Sequence, residues 1–242
     1  MRQMWRYLIL AVVGAGMLGC KVDKASKESS NLDSQARPPA AMPEAAPATP
    51  AVPASLPKDG RPLIVTFGDS LTAGYGTEAG QSYPEYLQAA LDARGYKYRV
   101  VNEGISGNTT KDGVERVDSI IAMKPAVVIV EFGGNDGLRG LRIEDSRNNL
   151  DHIVAALKAS GTKVVLAGIT LPPDYGPDYI RQFNETYSLL AAKYHVPLLP
   201  FLLQGVFGVE GMMQPDRTHA TSAGNKIVAN NILPLITPFL KK

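Results

Sequence analysis

Cysteine and tryptophan each occur once in the 242-residue chain, and there are only three histidines. The single Cys20 excludes an intramolecular disulfide and any paired-cysteine metal site. Aromatic residues make up 7% and the sole tryptophan is Trp5, so stacking surfaces for single-stranded nucleic acid or for sugars are scarce. The net charge is only +2, and Arg2 and Arg6 supply all of it. Residues 21–60 carry five bases and five acids, and residues 61–242 carry 18 of each. A neutral body lacks the clustered cations that displace counterions from a phosphate backbone, so no nucleic-acid partner is expected. Long apolar runs are also missing. The stretch Leu8–Leu18 has 11 residues, well short of the about 20 that span a bilayer but inside the range of a signal-peptide core.

Residues 1–20 read as a signal segment ending in Met17-Leu18-Gly19-Cys20. A small residue before a cysteine at that position resembles the bacterial lipobox, although Met17 and Leu18 stand where it has a leucine and a small residue. The resemblance implies that Cys20 becomes a lipidated N-terminus and anchors the protein to the cell envelope. Lys21 at the next position favours the outer membrane, facing the periplasm. An ordinary cleaved signal with an incidental cysteine would instead leave a secreted periplasmic protein. Residues 21–60 hold seven of the 18 prolines, much alanine and few large apolar side chains. Such a segment buries too little surface to offset chain entropy, and reads as a disordered tether.

Residues 61–242 fit one domain. Apolar runs at Leu63–Phe67, Arg99–Asn102, Ala126–Phe132, Val164–Ile169 and Val196–Leu199 predict five strands. Ala126–Phe132 is almost unbroken and β-branched, as a strand buried on both faces should be. Between them, Tyr83–Leu91, Leu150–Leu157 and Ile180–Leu190 repeat at helical spacing, and Ser222–Leu233 closes the chain as a helix. Alternating strands and helices predict an α/β fold with a mostly parallel sheet, whose chemistry lies at the carboxyl ends of the strands.

Those ends carry small and polar residues. Gly68-Asp69-Ser70 follows the first strand, Ile105-Ser106-Gly107-Asn108 the second, and Gly133-Gly134-Asn135-Asp136 the third. Asp216-Arg217-Thr218-His219 precedes the last helix. His152 lies in a helical pattern and His195 beside a short strand, so both read as surface or packing residues. His219 follows an acid by three residues in a polar loop, and such a carboxylate can fix the imidazole tautomer.

Taken together, the segments around Ser70, Gly107, Asn135 and Asp216–His219 resemble the SGNH, or GDSL, hydrolases, from about Leu63 to Ile232. The stretches 133–140, 171–179 and 196–206 are similar to the bacterial branch with thioesterase, arylesterase and lysophospholipase activities. The resemblance implies a flavodoxin-like, three-layer α/β/α sandwich with a five-stranded sheet. It implies a serine esterase acting through Ser70, His219 and Asp216 and an acyl-enzyme, on a small ester or thioester. The backbone N–H groups of Ser70 and Gly107 and the Asn135 amide would form the oxyanion hole. Three departures stand out: Glu103 in place of a small residue, Asn108 in place of an acid, and Ala220 in place of proline.

No metal and no cofactor are required. Asp69 and Asp136 could suggest a two-carboxylate metal site, but each is more simply a turn residue. The first strand's turn also lacks a phosphate-binding glycine pattern. Leu138–Ile143 and Leu171–Tyr179 are expected to flank the pocket as loops, with Gly137, Gly140 and Gly176 as pivots. Two alternatives remain at this level: an O-acetyl esterase acting on a polysaccharide, and a tethered binding module on an inactive scaffold.

Overall fold

The computed structural model describes residues 59–242. The signal segment, Cys20 and all of the tether but its last two residues lie outside the described residues.

Five strands form one sheet in the order β2-β1-β3-β4-β5. They are β1 (Leu63–Gly68), β2 (Arg99–Gly104), β3 (Val127–Glu131), β4 (Lys163–Ala167) and β5 (Leu198–Leu199). Every pairing is parallel. Burial follows position. β3 is buried throughout, whereas β2, at the edge, is mostly half-buried. The helices are α1 (Ser70–Ala73), α2 (Tyr83–Ala93), α3 (Thr110–Ala122), α4 (Gly134–Leu138), α5 (Ile143–Ala159), α6 (Pro177–Tyr194) and α7 (Ser222–Ile236).

From β1 the chain moves outward to β2, then reverses across β1 to β3 and onward to β5. Right-handed crossovers therefore put α2 on one face and α3, α5 and α6 on the other. α7 packs against α2, and α3 against α5, which completes three layers. The reversal opens a crevice at the carboxyl ends of β1 and β3, where ligands bind in sheets of this kind. α1 and α4 begin there.

The five expected strands are all present, with ends shifted by one or two residues. α3 is the long helix the apolar pattern did not announce. Its signal was a capping box, in which the Asp112 side chain accepts from the Thr109 N–H at 2.7 Å. Val117 and Ile120 then bury one face.

Candidate active site

Ser70 begins α1 directly after β1, and Asp69 caps that helix by accepting the Leu71 N–H at 3.0 Å. The cap fixes the turn that lifts Ser70 out of the sheet. His219 arrives from the loop before α7. Its Nε2 lies 2.8 Å from Ser70 Oγ and its Nδ1 lies 2.7 Å from Asp216 Oδ2. The other Asp216 oxygen accepts the backbone N–H groups of Thr218 (2.9 Å) and His219 (3.0 Å). Arg217, between Asp216 and Thr218, takes the left-handed conformation at φ 57°. One carboxylate thus folds the loop and orients the ring. Burial pushes the Asp216 carboxyl up, but the hydrogen bonds from His219 and Thr218 outweigh it and hold the group below its ordinary value.

A second set of contacts ties three strand ends together. Asn135, in the first turn of α4, donates through Nδ2 to the Asn108 carbonyl at 2.9 Å and to Asp69 Oδ2 at 3.2 Å. It links the turn after β3 to both the Ser70 turn and the turn after β2. The backbone N–H groups of Ser70 and Gly107 donate to no other group among the described residues. Gly107 has φ +83°, and a Cβ there would meet only one atom, an Arg139 side-chain nitrogen 4.0 Å away. Glycine is needed for the backbone conformation, which L side chains rarely adopt, and the space above the amide stays open.

Beneath the Ser70 turn lie two buried carboxyl groups. Asp69 caps α1 as above, and its own N–H donates to Glu131 Oε2 at 3.2 Å. Thr72 Oγ1 donates to the same oxygen at 2.7 Å, while Glu131 Oε1 has no partner among the described residues. Burial pushes both carboxyls up, and Glu131 well up. Asp136 is buried as well. It accepts from Thr110 N (2.9 Å), Thr110 Oγ1 (2.5 Å) and Ser146 Oγ (3.0 Å), anchoring α4 to α3 and α5. Asp69 and Asp136 are therefore turn anchors, and no cluster of metal-ligating side chains exists among the described residues.

The two expected flanking segments meet: Tyr175 Oη donates to the Leu138 carbonyl at 2.8 Å and Tyr179 Oη to that of Leu141 at 3.0 Å. They are more ordered than plain loops, since Pro173–Tyr175 forms a 3₁₀ turn and Tyr179 already belongs to α6. Gly137 is not a pivot. It sits buried in α4, where a Cβ would lie 2.5 Å from Leu171 Cδ2, so it serves close packing. His152 and His195 are exposed, as read from the sequence. Sequence reasoning missed Glu131, visible only as a lone acid in an apolar run. It also missed Arg116, Tyr75 and Gln214. A cavity of about 250 Å³ between α2 and β2, lined by Glu85, Gln88, Arg99 and Asn102, involves none of these site residues.

A parallel sheet with a serine, an imidazole and a carboxylate joined in series at its carboxyl edge defines a class of hydrolase. The chain belongs to the GDSL-like Lipase/Acylhydrolase family, whose model it matches over residues 66–227. It is 43% identical to the esterase TesA of Pseudomonas aeruginosa over 178 residues, 73% of this chain and 89% of the relative. It is 34% identical to the thioesterase 1/protease 1/lysophospholipase L1 of Escherichia coli K12, over 73% of this chain and 84% of that one. Among solved structures, TesA superposes with a TM-score of 0.71 at 42% identity, covering 74% of this chain and 99% of that one.

Proposed function

We propose that the protein is a serine ester hydrolase that transfers acyl groups to water through Ser70. The observation that carries this reading is the hydrogen-bonded series Ser70–His219–Asp216 at 2.8 and 2.7 Å. His219 Nε2 takes the Ser70 proton as Oγ attacks the acyl carbon, and Asp216 stabilises the imidazolium that results. The open N–H groups of Ser70 and Gly107 receive the charge on the tetrahedral oxygen, together with Asn135 Nδ2. The 3.2 Å contact from Asn135 to Asp69 is the longer of its two, and that hydrogen is the one an oxyanion takes. His219 then returns the proton to the leaving oxygen of an ester or sulfur of a thioester, and water repeats the sequence to free the acid. Esters and thioesters are both suitable substrates, since neither the attack nor the oxyanion hole depends on the leaving atom.

An acyl-chain-length series, with esters and thioesters side by side, tests the reading. Hydrolysis of both classes, abolished by Ser70→Ala, supports it. Activity that survives that substitution overturns the serine mechanism. For its location we propose an envelope anchor through lipidated Cys20, with residues 21–60 as spacer. Lys21 at the next position favours the outer membrane. The mass of the mature N-terminus tests the anchor: a diacylated or triacylated Cys20 supports it, and a free thiol refutes it.

A further inference from the structure

Tyr75 is a large aromatic residue left exposed beside the catalytic series. Its ring stands 4.6 Å from that of His219, tilted by 41°, and 43% of the residue is exposed. The backbone holds it from both sides. Its N–H donates to the Ser70 carbonyl at 3.1 Å, and its carbonyl accepts from Gln214 Nε2 at 2.7 Å. Gln214 Nε2 also donates to the Ala220 carbonyl at 2.9 Å, and the Gln214 N–H to that of His219 at 2.8 Å. Gln214 therefore joins the Tyr75 turn to the loop carrying His219. The tyrosine hydroxyl makes no hydrogen bond among the described residues, so the ring itself is what the fold presents.

Which part of a substrate meets this ring follows from the chemistry. As the tetrahedral species collapses, the bond from carbon to the leaving oxygen breaks while that from Ser70 Oγ to carbon remains. His219 Nε2–H gives its proton to the departing oxygen. That oxygen must come within hydrogen-bond reach of Nε2, and the group it carries lies against whatever borders the imidazole on the solvent side. The acyl substituent, across the carbon, points away. Resting on the serine mechanism above, the geometry points to Tyr75 as the surface that binds the leaving group and selects planar, aromatic alcohols and phenols. Offset or edge contact between rings favours an aromatic leaving group over a saturated one by roughly two- to tenfold.

The test compares benzyl acetate with cyclohexylmethyl acetate, leaving groups of similar size and basicity. The wild type should show the higher kcat/KM for benzyl acetate. Tyr75→Phe should keep that preference. Tyr75→Leu, which retains bulk without a ring, should lose it, while the dependence on acyl-chain length keeps its shape in a p-nitrophenyl acetate-to-octanoate series. Equal losses on both acetates would make Tyr75 a support for His219 alone and overturn the proposal, as would a changed acyl-chain profile. Labelling by a fluorophosphonate separates the layers. No Ser70 adduct in the wild type removes the serine mechanism and this proposal with it. An adduct accompanied by equal losses removes the proposal only.

Discussion

Arg116 on α3 donates through Nη1 to Asn108 Oδ1 at 2.7 Å, inside the turn that carries Gly107. The same guanidinium donates to the Glu103 carbonyl at 2.6 Å, lies 3.6 Å from the Glu103 carboxylate and covers the Phe67 ring at 5.0 Å. Glu103 and Asn108, the two departures that the resemblance marks in this segment, thus meet at one guanidinium. With asparagine at 108, the acid that balances Arg116 stands at 103. The Asn108 carbonyl accepts from Asn135, so the clamp reaches two parts of the proposed oxyanion hole.

Arg116→Met should therefore lower kcat about tenfold or more with little change in KM. It removes charge-assisted bonds worth roughly 1.5–3 kcal/mol each from a turn proposed to act in the transition state. Asn108→Asp, which restores a direct acid partner, should keep activity close to wild type. Steady-state kinetics on one ester checks both; a rise in KM alone would place Arg116 in substrate binding.

Asn135→Ala removes a proposed oxyanion donor and the tie among three strand ends. A loss of about 10²–10³ in kcat is expected, larger than the change in KM. Inhibition by a tetrahedral boronic acid should weaken in parallel, while binding of a carboxylate product should not.

Glu131 gives a pH prediction with a definite sign. Burial raises its pKa in the folded state, so the native protein holds a proton the unfolded chain releases. The cost of that burial is absent below the unfolded pKa of about 4.3 and grows as pH rises above it, toward the raised folded value. Glu131→Gln mimics the neutral acid and carries no such cost. Its Tm relative to wild type should rise from pH 5 to pH 8. The lowered carboxyls Asp216 and Asp59 act in the opposite sense in both proteins and cancel in the difference. A constant difference across that range would mean that Glu131 is ionised in the native state.

Much of this architecture can be read from residue pattern. Val127–Val130, β-branched and apolar, is what a central parallel strand demands, and Gly68-Asp69-Ser70 announces the turn that ends β1. α3 was hidden because Gly113 and several charged residues dilute its apolar stripe. Glu131 was hidden by the same logic in reverse: periodicity weighs a whole run, and one acid in a buried strand carries its meaning through partners distant in sequence. Gly107 is legible as part of the motif, whereas its φ of +83°, which is what requires glycine, shows only in the folded backbone. Tyr75 and Arg116 are placed by contacts to His219 and Asn108, which spacing alone cannot reveal.

The most direct test of the account is the site of covalent modification by a fluorophosphonate. The account predicts one adduct, on the peptide containing Ser70, formed at the rate at which ester hydrolysis is lost and much slowed in Asp216→Ala. Modification at another residue, or full inactivation with Ser70 unlabelled, would contradict it.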